Sequence, residues 1–185
     1  VESLRLLDET RQRNEELNTL NQVISAVSRT LELDSVLGEI LERVLEAIEF
    51  DSGLISIADP DTQELVLAVH RDLPPEMVEA LTQRGLGGTV CDLVYRRGET
   101  IYAPDVSDPP QELKQRFADE TVLEAALRGP QAMGFRSYLG APLISKGVRL
   151  GTVCAFNVEE QLVPPSRLAL VEAIGQQVGV AIENA

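Results

Sequence analysis

The sequence predicts an α+β fold built on a central antiparallel sheet with helices collected at its sides. Residues 137–145 and 148–158 are both apolar enough for central strands, and only Lys146-Gly147, a two-residue hairpin connection, separates them. Residues 54–70 read as strand, turn and strand around Asp59-Pro60-Asp61-Thr62. Nowhere do strands and helices alternate regularly, as a parallel sheet would require.

The elements follow in order. Leu17, Leu20, Ile24, Val27 and Leu31 recur at the three and four spacing of a coiled-coil seam. Asp34 is expected to cap a second helix, whose Val36, Leu37, Ile40, Leu41, Val44, Leu45 and Ile48 form one wide apolar face. After the 54–70 hairpin, Pro74-Pro75 opens a short helix carrying Met77, Val78 and Leu81. Arg84-Gly85-Leu86-Gly87-Gly88 is a loop suited to positive φ, Thr89 to Arg97 is helix, and Gly98 ends it. Thr100 to Tyr102 is a brief strand. Residues 103–134 carry turn chemistry at Asp108-Pro109-Pro110 and helical spacing in Leu113, Phe117, Val122, Leu123, Ala126 and Leu127, which predicts a helical cap. Pro164-Pro165 starts a last helix in which Leu168, Val171, Gly175, Val178, Ile182 and Ala185 repeat at three and four.

The chain has 185 residues, room for one domain and an appendage. Its 16 basic against 30 acidic side chains give a net charge of −14, a field that repels phosphate backbones and anionic lipid. Neither nucleic acid nor a membrane surface is therefore an expected partner. Two cysteines 63 positions apart and a single histidine, His70, supply no zinc set and no disulfide framework. The longest stretch free of charge, Leu17 to Ser28, is too short to cross a bilayer, and no signal-peptide pattern opens the chain. These features predict a cytoplasmic segment without membrane insertion, and the mid-pattern start at Val1 with the helix-like run ending at Ala185 reads as a piece excised from a longer protein.

Four stretches carry a resemblance: Gly85-Leu86-Gly87-Gly88-Thr89-Val90, residues 98–106 (GETIYAPDV), residues 134–143 (GFRSYLGAPL) and residues 147–153 (GVRLGTV). In this order and spacing the chain resembles a GAF domain, the small-molecule-sensing and dimerising module of bacterial signalling proteins and cyclic-nucleotide phosphodiesterases. The resemblance implies that the terminal helices cover one face of the sheet and that the cap helices roof a ligand pocket on the other. It divides the chain into a signalling helix at 1–31, a core at 32–163 and a C-terminal helix at 164–185 that packs with the N-terminal ones. The candidate pocket residues are Thr82, Gln83, Tyr102, Phe117, Leu123, Met133, Phe135, Ser137 and Leu139, a largely apolar set with a few hydroxyls. Strand alternation puts Ser137 and Leu139 on one side and Tyr138 on the other, so which of them faces the pocket is open. The candidate dimer seam is Leu17, Leu20, Ile24, Val27 and Leu31 with Val171, Val178 and Ile182.

Several chemistries are tested by the residues they would need. Cyclic-nucleotide-binding relatives carry an Asn-Lys, Phe, Asp-Glu signature after the last strand. Asn157 matches it, but Val158 stands where the lysine would be, and residues 162–167 hold neither phenylalanine nor an acidic pair. Bilin-binding relatives use a cap-helix cysteine, commonly followed by histidine, and residues 112–134 contain neither. Isolated His70 offers heme no second ligand. The glycine cluster is followed by no Lys-Ser or Lys-Thr of a phosphate loop. Asp59 with Asp61 and Asp105 with Asp108 read as turn residues bonding their own backbone rather than as a cation site. Cys91 and Cys154 read as small buried hydrophobes.

The function expected is a non-enzymatic sensory and dimerisation module of a cytoplasmic signal-transduction protein, such as a histidine kinase, a response regulator or a cyclic-di-nucleotide enzyme. It would form a homodimer through its terminal helices, carry an output domain in the longer chain, hold neither covalent bilin nor heme, and bind an unidentified small molecule. The alternatives are a ligand-free dimerisation spacer and a redox enzyme of the methionine sulfoxide reductase type.

Overall fold

The first proline of the chain is Pro60, and Gly38 is the only glycine before Gly53. With no breaker between Leu31 and Leu37, backbone pairing continues through Asp34, and α1 runs unbroken from Glu2 to Ile48. The helix start expected at Asp34 is therefore absent, because a cap needs non-helical backbone and nothing in this stretch interrupts the ladder. The computed structural model describes residues 1–184, the Ala26 side chain excepted; Ala185, the last position of the expected C-terminal repeat, lies outside the described residues. The chain divides into two compact units, one ending at Ser35 and the other beginning at Val36.

In the first unit Leu17, Leu20, Ile24, Val27 and Leu31 are each more than half exposed. In the second, Leu37, Leu41, Val44, Leu45 and Ile48 are buried, whereas Val36, expected on the same face, is exposed. Glu49 ends α1 in the left-handed region, and the Phe50 N–H returns to the Leu45 carbonyl.

Five strands form one antiparallel sheet in the order β2-β1-β5-β4-β3. They are β1 (Ser52–Ala58), β2 (Leu65–Arg71), β3 (Ile101–Ala103), β4 (Ser137–Ser145) and β5 (Val148–Asn157). Lys146 and Gly147 both take positive φ, the geometry a two-residue hairpin needs to match strand twist. Between β2 and β4 stand α2 (Pro75–Arg84), α3 (Val90–Arg97), α4 (Gln111–Gln115) and α5 (Glu120–Ala132); α6 (Pro165–Glu183) closes the described chain.

Register assigns each face. Leu54, Cys154, Gly140 and Ile101 stand in one row across four strands, and Tyr138, Phe156 and Ala103 stand in the next row on that face. This face carries the cap: Leu54, Tyr138, Cys154 and Phe156 share one apolar cluster with Met77, Leu81, Val94, Leu113, Leu123 and Leu127. The row Gly53, Ala155, Leu139, Tyr102 points the other way. A Cβ on Gly53 would stand 2.9 Å from Leu45 and 3.1 Å from Leu41, so the last turns of α1 lie directly on that face. There α6 crosses β4 at two glycines: a Cβ would meet the Pro142 carbonyl at 2.8 Å from Gly175 and the Ile144 carbonyl at 2.5 Å from Gly179. Arg167 ties the start of α6 to the end of α1, donating to the Ala47 carbonyl and pairing with Glu49.

Candidate functional site

The site grows from the glycine loop before α3. Gly85 and Gly88 take φ of +74° and +78°, and between them Leu86 is fully buried, anchoring the loop to the core. Thr89 caps α3, accepting from the Asp92 N–H and donating to the Leu86 carbonyl. The Asp92 carboxylate reaches back to the Gly88 N–H and is held by Arg96 at 2.8 Å. Sequence-local capping thus fixes a loop whose glycines line open space.

That space is a cavity of about 340 Å³. Met77, Ala80 and Leu81 of α2 form one wall, and Ala125, Ala126, Gly129, Pro130 and Met133 form the opposite one. Cys91, Val90 and Phe156 lie beneath, and Arg84 brings the single charged side chain to the lining. The room exists because α5 presents alanine and glycine there instead of large side chains, so dispersion contacts across the gap are missing.

Behind the cavity lies a buried polar chain. The Tyr138 hydroxyl sits 3.1 Å from Cys154 Sγ and donates to Cys91 Sγ at 3.9 Å. The Cys154 thiol reaches Thr152 Oγ1 at 3.5 Å, and Thr152 meets Ser56 at 2.6 Å. Contact with Cys154 and burial push the Cys91 thiol up. Burial drives Tyr138 the same way, with the two thiols adding to it.

Of the residues expected to line the pocket, Met133 does so. Thr82 and Gln83 are exposed and border a neighbouring hollow of about 430 Å³ between α2 and β2, which shares Leu81, Arg84 and Gly85 with the first. Phe117, Leu123 and Phe135 are buried in the cap-side cluster itself, Phe135 against Phe156 at 5.0 Å and Phe117 beneath the Arg97 guanidinium at 4.2 Å. Tyr102, Ser137 and Leu139 lie away from the cavity, on the helix-covered face. The phase of alternation in β4 points Tyr138, not its neighbours, at the cap. Tyr102 donates to the Gln161 carbonyl and accepts from the Val163 N–H, while Ser137 donates to the Glu159 carbonyl; both pin the segment leading to α6. The glycine loop and the small residues of α5 line the cavity although they are not among the expected residues. Their signal was an alanine and a glycine four positions apart on one helix face, Ala125 and Gly129, a spacing equally suited to close helix packing.

On α6, Val171 and Val178 are buried on the side that meets the sheet and do not present themselves to a second chain; Ile182 is half-buried. His70 is exposed on β2. Asp59 accepts from the N–H groups of Asp61 and Thr62, and Asp105 from that of Ser107, so the expected backbone turns are present. Among the described residues no group of three or more histidine, cysteine, aspartate or glutamate side chains is placed to hold a metal, and no helix is long and apolar enough to cross a membrane.

A five-stranded antiparallel sheet with helices on one face and a cavity under short cap helices on the other defines the class of small α+β modules built around a chamber. The family model described as GAF domain matches residues 32–182, and the chain belongs to that family. Among solved structures it is similar to the GAF domain of a phosphoenolpyruvate-protein phosphotransferase from Coxiella burnetii, at 22% identity and a TM-score of 0.60 over 83% of each chain. The corresponding Acinetobacter domain gives 19% identity and a TM-score of 0.61 over 93% of this chain and 95% of that one. The photoproduct state of GAF3 from Slr1393 of Synechocystis gives 18% and 0.60 over 82% and 94%. Similarity at this level concerns the fold. No curated protein matches the chain.

Proposed function

We propose that this chain is a non-enzymatic sensory and dimerisation module of a signal-transduction protein, which binds a small molecule in the cavity between α2, the glycine loop and α5. The observation that carries the reading is the cavity itself: an apolar chamber, walled by Met77, Ala126 and Met133, beside a loop held open by its own capping bonds. An uncharged or weakly polar ligand suits it, with Thr89 and Arg84 as the polar groups in the lining. Dimerisation runs through the exposed stripe from Leu17 to Leu31, whose burial against a second copy removes apolar surface at ~25 cal/mol per Å². The output domain belongs to a longer cytoplasmic chain, and neither bilin nor heme is its cofactor.

Native mass spectrometry of freshly purified protein tests the sensing part. A retained small molecule is the expected result, lost on Ala126→Trp, which fills the chamber. Protein that carries nothing and binds nothing from a metabolite library overturns it. The observation favouring the second reading, a ligand-free spacer, is that Phe117, Leu123 and Phe135 already fill the space beneath the cap.

A further inference from the structure

The two cysteines, 63 positions apart in sequence, converge on one hydroxyl. Cys91, in the second position of α3, and Cys154, in the middle of β5, both contact Tyr138 Oη, at 3.9 and 3.1 Å. Both are free thiols and both are buried. Cys91 also lines the cavity, so the interior pair has a route to small solutes that does not require unfolding. Nothing in the proposed ligand binding uses this arrangement.

We propose that Cys91 and Cys154 form a redox-responsive dithiol that a small peroxide, admitted through the cavity, converts to an intramolecular disulfide. The Cys91 sulfur attacks the peroxide oxygen, the O–O bond breaks, and the thiol proton leaves with the departing oxygen as water or alcohol. The resulting sulfenic acid is attacked by Cys154; the S–S bond forms, the S–O bond breaks, and the hydroxyl departs with the Cys154 proton as water. Two thiols lose two electrons and the peroxide gains them, so the exchange balances without a metal.

The neighbouring groups suit the second step. The Tyr138 hydroxyl, 3.1 Å from Cys154 Sγ, is placed to donate to that sulfur as it gives up its proton. Small lining residues on α5 leave the approach to Cys91 open: a Cβ on Gly129 would meet no atom within 4 Å. This inference needs the cavity to admit solute but does not need it to hold a natural ligand.

The test uses the full chain, reduced with a phosphine and then exposed to hydrogen peroxide. Intact mass should fall by two hydrogens, return on reduction, and give a Cys91–Cys154 crosslinked peptide in a non-reducing digest. Cys91→Ser and Cys154→Ser should each abolish the crosslink while keeping the far-ultraviolet circular dichroism of the parent. Gly129→Leu, which places a side chain in the approach, should slow crosslinking several-fold without lowering the unfolding midpoint. Stable oxygen adducts on single cysteines, disulfides between chains, or an unchanged rate in Gly129→Leu would each overturn the proposal.

Discussion

The hydroxyls of Ser56 and Thr152 lie 2.6 Å apart across β1 and β5, with both residues inaccessible to solvent. Each satisfies the other where water cannot, so removing one alone leaves a stranded donor. Thr152→Val should cost ~1–3 kcal/mol in denaturant unfolding. Ser56→Ala on top of it should recover part of that loss, because the orphaned group is gone. Purely additive effects in this cycle would mean that the pair carries no coupling.

Glycine to alanine inside a helix ordinarily stabilises by ~1 kcal/mol. The helices α1 and α6, opposite the cap, divide on this point. Gly38 has no atom within 4 Å of a built Cβ, and Gly38→Ala should raise the unfolding midpoint. Gly179→Ala drives a methyl to 2.5 Å from the Ile144 carbonyl and should lower it, since backbone on both sides must separate. Thermal denaturation of the two variants side by side decides between propensity and packing.

Leu20 and Ile24 are each 55% exposed in the single chain. Replacing both with glutamate should convert a dimer to a monomer in multi-angle light scattering, with the circular dichroism of the core retained. Native protein that is already monomeric at high micromolar concentration would show that the stripe has no second copy as its partner.

Asp119 caps α5, the helix that walls the cavity, by accepting from the Thr121 hydroxyl and N–H, and these bonds hold its carboxyl below the usual value. A depressed folded pKa adds stability that is present in full above the unfolded value, ~3.9. That contribution disappears as pH falls through the lower folded value. Asp119→Ala should therefore flatten the acid limb of a stability profile while leaving its neutral plateau lower. An acid limb identical to that of the parent would assign the transition to other carboxylates.

Protein expressed with heme or bilin supplied should remain colourless. The reason is local: residues 112–134 contain no cysteine to attach a bilin, and His70 is an exposed side chain on β2, the edge strand of the sheet. A visible absorption band that survives gel filtration would contradict this.

Local chemistry was legible in the sequence because it is local. The Lys146-Gly147 turn, the Gly98 stop and the Asp59 turn each depend on neighbours within a few positions, and so does the order of strands and helices. Asp34 lies inside α1 rather than at a cap because capping residues tolerate helix interiors when no glycine or proline forces a break. What only the tertiary structure decided is phase and convergence. A strand's alternation says that Ser137 and Leu139 share a face but not which cover lies on it, and long-range pairing turned Tyr138 toward the cap instead. The same pairing brought Cys154 to the hydroxyl that also meets Cys91, and left the small residues of α5 opposite α2 with a gap between them. Such relations join positions dozens of residues apart, and no spacing rule within one element encodes them.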